Sequence, residues 1–185
     1  MAAAHAIVVD VSQWAGNNAN SHAQIVGATY AQQAVMQASI NNLITPGREG
    51  YGINALCELP GISLVIASKI FRFCAPQVGA AVDRHASYFF NSLPVAGRGM
   101  STNFIREWSN GRHTSSRLAI YTPKNYGLNH AQYLEIYLPL LANMAYAMDI
   151  LQAQYICAST KQAKNLTPAD IEMAAYYWWA CNGSR

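Results

Sequence analysis

The chain has 185 residues, of which 52% are hydrophobic and only 11% are charged, with a net charge of +3. That length suits one domain with a sizeable core, with room for a small subdomain, and that hydrophobic content excludes an intrinsically disordered chain. The charge falls short of the footprint of a strongly basic nucleic-acid binder, so the surface must rely on Asn, Gln, Ser, Thr and Tyr.

Taken in chain order, residues 1–20 are ambiguous between a short strand at "AIVVDV" and a helix, before a turn at "GNNAN". Residues 21–44 read as one helix, with Ser21 as N-cap and Ile25, Ala28, Tyr30, Ala34, Val35 and Ile40 on its apolar face. "TPGREGYG" breaks it. A short helix is predicted over 53–58, a turn at "LPGIS", and a second helix over 64–74 with Val65, Ile66, Ile70 and Phe73 at helical spacing. Asp83 opens a third helix that runs to about Leu93.

Beyond it, residues 102–109 are predicted helical between loops. A long helix is predicted from about Asn129 to Ile156. Its segment "YLEIYLPLLANMAYAMDIL" is the most apolar in the chain, but Glu135, Pro139, Asn143 and Asp149 interrupt it. No run reaches the roughly 18 apolar residues of a membrane span. The last helix starts at "LTPADIE": Thr167 is an N-cap, Pro168 sits at the first helical position, and Asp170 can complete a capping box. Alternating strands are scarce, so the fold class is mainly α, in one helical domain over 1–185.

The four cysteines, Cys57, Cys74, Cys157 and Cys181, have no CxxC spacing, so neither a zinc nor an iron–sulfur site is expected. Free thiols point to a reducing compartment. The start "MAAAHAIVVDVSQW" makes a poor signal peptide, and the expected location is cytoplasmic. His5, His22, His85, His113 and His130 lack metal-ligand spacing, and no phosphate-binding or dinucleotide loop is present. No metal, nucleotide or other cofactor is therefore expected. The cations cluster at Arg98, Arg106, Arg112, Arg117 and Lys124, opposed only by Glu107. Such a local basic surface suits a phosphate-bearing partner or a solvated face equally.

"ALCELPGISLVIASKIF" has the form of a helix, a tight hairpin and a second helix. Pro60 stiffens the turn, and Gly61 permits a backbone conformation that a side chain would obstruct. The first-turn N–H groups of the following helix can hold a phosphate. A structural corner has the same sequence, so the hairpin alone does not decide.

After that helix come Pro76, Gly79 and "AVDRHASYFF". Over about residues 55–92 the chain resembles the helix–hairpin–helix DNA glycosylase superfamily, which joins such a hairpin to a Gly/Pro-rich loop and a helix-opening aspartate. "LTPADIEMAAYYWWACNG", over 167–183, looks like the closing helix of small members with an 8-oxoguanine-glycosylase-like fold. The resemblance singles out the hairpin and catalytic-helix segment 53–93 and the closing helix 167–181.

It also implies a function. Asp83 would stabilise the positive charge that grows on the deoxyribose as an N-glycosidic bond breaks, and would orient or deprotonate the attacking water. A plain N-cap is the competing role of Asp83. Gly61, Ile62 and Ser63, with Lys69 and Arg84, would bind the DNA backbone. Bifunctional members carry a lysine nucleophile where this chain has Val65, so a monofunctional hydrolase without lyase activity is implied. Ser63 replaces the family's second hairpin glycine. Lys69 lies one turn beyond Val65 on the same face.

A flipped base needs aromatic surface to stack on. Trp178 and Trp179 are the implied base-pocket residues, with Tyr176 and Tyr177 beside them and Trp14 and Trp108 as weaker candidates. Consecutive "YYWW" covers more than half of a helix circumference, so at least one ring must face a cavity or the surface. Gln13, Asn17 and Asn18 are polar candidates for a base edge. The implied partner is double-stranded DNA, bound by a monomer with no membrane contact. The base can be oxidised, alkylated, deaminated or an unusual modified base such as some phages carry. Two other readings remain: a non-catalytic helix–hairpin–helix DNA-binding module, or a helical domain whose aromatic C-terminal helix docks a protein.

Overall fold

The structure, a computed structural model, describes residues 1–83, 85–86, 89–90, 133–151, 155–156 and 162–182. The described part is mainly helical. The chain divides into two compact units, Met1–Ala81 and Val82–Arg185.

The first unit holds five helices: α1 (Ala2–Trp14), α2 (Ala19–Val26), α3 (Tyr30–Leu43), α4 (Glu49–Cys57) and α5 (Leu64–Cys74). The ambiguous N-terminal run is helical. Ala4, Val8 and Val11 fall on one stripe and are buried, and α1 packs on α2, α3 and α5. That packing outweighs the strand preference of the β-branched pair Val8–Val9.

The single helix expected over 21–44 is two. Asn18, not Ser21, caps α2: its side chain accepts from the Ser21 N–H at 2.9 Å. Gly27 ends α2, and Thr29 starts α3 with a capping box. The Gln32 N–H donates to Thr29 Oγ1 at 3.3 Å, and the Thr29 N–H donates to Gln32 Oε1 at 2.7 Å. Two orphan backbone donors are satisfied there, so the chain can turn between two helices without loss.

Helix α4 starts at Glu49, four residues earlier than the sequence suggests, with an acidic side chain in its first turn where the helix dipole favours one. It lies close against α3. A Cβ on Gly52 would meet the Ser39 carbonyl oxygen and a Leu43 side-chain carbon, each at 2.8 Å. Helix α5 has the expected bounds. Leu64, Ile66, Ala67, Ile70 and Phe71 are buried on it, and α5 packs on α1, α3 and α4, where Val8, Val11, Met36, Leu43, Ile53 and Leu56 are buried in turn. Each such large side chain contributes about 1.5–3 kcal/mol of burial. Phe73, expected on that apolar face, is instead exposed.

In the second unit, His85, Ala86, Phe89 and Phe90 are helical. Tyr133–Tyr137 form a π-helical turn that leads into α6 (Leu138–Ile150). Pro139, the second residue of α6, has no N–H for the carbonyl one turn back, which favours a wider turn at this point. The long helix expected to reach Ile156 ends at Ile150. Tyr155–Ile156 (β1) then pairs antiparallel with Ala163–Lys164 (β2), with Tyr155 opposite Lys164 and Ile156 opposite Ala163.

Helix α7 (Pro168–Asn182) closes the chain and packs on α6. Its start is as expected. The Asp170 N–H donates to Thr167 Oγ1 at 3.3 Å, and the Thr167 N–H and hydroxyl donate to Asp170 Oδ2 at 2.8 and 2.6 Å. No described helix is long and apolar enough to cross a membrane.

Candidate functional site

The hairpin between α4 and α5 is a tight turn. The Leu59 N–H donates to the Leu56 carbonyl at 3.0 Å, and the Ile62 N–H donates to the Leu59 carbonyl at 3.2 Å. Gly61 has φ +80°, the left-handed region that costs other residues about 1–2 kcal/mol. Its missing side chain also matters for packing. A Cβ here would run into the Ser21 carbonyl of α2 and approach Ile25 Cγ1. The Asn17 side-chain amide donates to the Gly61 carbonyl at 3.2 Å.

Asn17 and Asn18 are therefore engaged in the fold: Asn17 ties the hairpin to the end of α1, and Asn18 caps α2. Ile62 is buried, while Gly61 and Ser63 are half-buried. Ser63 is the N-cap of α5, in extended conformation, and its side chain makes no capping bond. Lys69 lies on α5 with its ammonium 5.3 Å from the centre of the Trp14 ring. Arg84 lies outside the described residues, as do Trp108, His113, His130, Cys157 and the basic run Arg98 to Lys124.

In the second unit Asp83 has a defined local role. Its Oδ1 accepts from the His85 and Ala86 N–H groups, both at 2.9 Å. These are the second and third N–H groups of the helix it opens, so Asp83 is an N-cap. A carboxylate has about four lone-pair sites, so capping and a chemical role do not exclude each other. The His85 ring meets Tyr176 edge to face, with centroids 5.1 Å apart. Its Nδ1 is buried, with no hydrogen-bond partner among the described residues.

Three buried residues of the same unit, gathered around Tyr137, were not singled out in the sequence: Tyr133, Tyr137 itself and Glu172. Both tyrosines are fully buried and their rings stack 5.9 Å apart. Phe90 packs edge-on to Tyr137 at 5.7 Å. Glu172, on α7, is 3% exposed, the one buried charged residue among those described. Burial holds the Tyr137 phenol well above its ordinary pKa, and Glu172, Tyr133 and Asp83 push it in the same direction. Tyr137 therefore stays a neutral phenol within the electrostatic reach of two carboxyl groups. The sequence did carry a trace of this. Glu172 is a charge inside an otherwise apolar turn, and Tyr133 and Tyr137 are one helical turn apart.

The closing-helix aromatics face outward. Tyr177 and Trp178 are exposed, Tyr176 is marginally so, and Trp179 is half-buried. Phe89 meets Trp178 edge to face at 5.4 Å, and Trp178 and Trp179 lie 6.3 Å apart. The buried side of α7 is formed by Pro168, Ala169, Ile171, Glu172 and Ala175 instead. The described residues contain no group of three His, Cys, Asp or Glu arranged to hold a metal. Cys57, Cys74 and Cys181 are free thiols, the last of them exposed.

No family model, no curated protein and no solved structure matches this chain.

Proposed function

We propose that the protein is a monofunctional DNA glycosylase of the helix–hairpin–helix type, which hydrolyses the N-glycosidic bond of a flipped damaged or modified base in duplex DNA. The observation that carries this reading is Asp83. It is a carboxylate fixed by two amides at a helix start, in a unit whose interior also holds Tyr133, Tyr137 and Glu172. A fixed carboxylate is what an oxocarbenium-like sugar requires.

In the proposed reaction the glycosidic electron pair leaves with the base, which takes up a proton from solvent. Water attacks the sugar carbon from the open side, and its proton passes to Asp83 or to solvent. An abasic site remains. Val65 stands where an amine nucleophile would be needed for strand cleavage, so water is the attacking group. Trp178 and Trp179, with much ring surface outside the core, supply faces on which an extruded base can stack. Backbone contact is assigned to Gly61, Ile62 and Ser63 through their amides, and to Lys69 and Arg84 through charge. No cofactor enters the scheme, and the protein acts as a monomer in the cytoplasm.

The test is a panel of duplexes carrying oxidised, alkylated, deaminated and hypermodified bases, treated with alkali after incubation to reveal abasic sites. Cleavage of at least one duplex supports the reading. Binding of duplex DNA with no abasic product from any base leaves only a DNA-binding module. Failure to bind DNA at low salt removes both.

A further inference from the structure

Trp14 at the end of α1 and Phe73 near the end of α5 are 59% and 49% exposed, yet they contact each other edge to face at 5.2 Å. Each ring also has a cation beside it. The Lys69 ammonium is 5.3 Å from the Trp14 centroid, and the Arg72 guanidinium is 5.2 Å from the Phe73 centroid. Helix α5 carries these two cations and no acidic residue; the acidic residue of α1 is Asp10, one turn before Trp14. Two large rings in water forgo the burial that the neighbouring Ile70 and Phe71 obtain, so core packing does not explain their placement.

The turn that follows Trp14 is tied to the hairpin. Asn17, just past Trp14, donates to the Gly61 carbonyl. Along α5, Lys69 stands about 8 Å and Phe73 about 14 Å from the first-turn amides at Leu64. Exposed aromatic faces interleaved with cations match the chemistry of an unpaired nucleic-acid strand, which offers alternating base faces and phosphates.

We propose that Trp14, Phe73, Lys69 and Arg72 form a stacking site for unpaired nucleotides of single-stranded DNA. The bases lie on the rings and the phosphates meet Lys69 and Arg72. This goes beyond the glycosylase reading and does not require any excision.

The experiment is fluorescence anisotropy of a labelled oligothymidylate of about 12 nucleotides, within the span of such grooves. It is run at about 50 mM salt, where phosphate contacts are strong. Trp14→Ala should weaken binding roughly tenfold, the loss of one base stack, and Trp14→Phe should restore most of it. An abasic backbone of the same length, which loses the stacks on both rings, should bind the unaltered protein at least as weakly as oligothymidylate binds Trp14→Ala. Equal binding by Trp14→Ala and the unaltered protein overturns the proposal. So does equal binding of the abasic and base-bearing strands, or competition by polyglutamate as strong as that by DNA. Circular dichroism of Trp14→Ala verifies that the exposed site was changed without unfolding. Binding is the only readout of this experiment, and no excision step enters it. The stacking site therefore stands or falls independently of excision.

Discussion

Gly61 of the hairpin sits directly against the Ser21 carbonyl of α2, with its backbone in the left-handed region. The permissiveness that a hairpin glycine offers to a phosphate is here also used by the protein's own chain. Gly61→Ala combines left-handed strain with a collision against backbone, which cannot swing away. The expected loss is about 2–4 kcal/mol of stability, seen as a lower midpoint in urea unfolding. A stability change below about 0.5 kcal/mol, the scale of an ordinary surface substitution, would show that the contact is readily relaxed.

The thiol of Cys57 is pushed from 9.0 up to about 12, first by burial and then by the charge of Glu58. A group that holds its proton more tightly when folded stabilises the fold fully below its unfolded value. That contribution is lost as pH rises. Stability should therefore fall between about pH 9 and pH 12, with a slope of up to about 1.4 kcal/mol per pH unit from this one proton. Tyr137, raised in the same direction from 10.0, adds to the decline above pH 10. Urea unfolding midpoints across this range should flatten in part in Cys57→Ala. An unchanged slope in that variant would assign the alkaline loss to other groups.

Thr167 and Asp170 close a reciprocal cap at the start of α7. Thr167→Ala should cost about 1 kcal/mol in urea unfolding, and Thr167→Ser should keep most of it. A Thr167→Ser loss equal to that of Thr167→Ala would mean that the methyl group, not the hydroxyl, matters at this position.

The parts of this fold that the sequence displayed are those with local causes. The α7 cap, the bounds of α5, the hairpin turn and the helix start at Asp83 each depend on a few adjacent residues. The break at Gly27 was hidden because apolar residues keep helical spacing across it, and only the Thr29–Gln32 cap reveals a second start. Helix α1 was ambiguous because Val8 and Val9 suit a strand until α3 and α5 are present to cover the stripe. Phe73 followed the apolar period of α5, yet the core side of that helix is filled by Ile66, Ala67, Ile70 and Phe71.

For the candidate site, Asp83 was legible because an aspartate at a helix start is a local signal. Glu172, Tyr133 and Tyr137 were not, because the burial of a carboxyl and two phenols is decided by how α6 and α7 pack. The boundary between Met1–Ala81 and Val82–Arg185 follows the short loop with Pro76 and Gly79, which the sequence marks as the end of a helix and not as the edge of a compact unit.

Asp83 is both a cap and the proposed catalytic carboxylate, and one substitution separates these roles. Asn is as good an N-cap as Asp, so Asp83→Asn keeps the amide bonds from His85 and Ala86 while removing the negative charge. The decisive measurement is single-turnover formation of abasic sites by the unaltered protein and by Asp83→Asn, on the modified-base duplex that the unaltered protein cleaves best. Loss of excision by about two orders of magnitude or more, with duplex binding and urea midpoint retained, is the predicted result. Excision by Asp83→Asn at the unaltered rate would contradict the account and leave Asp83 as a cap alone.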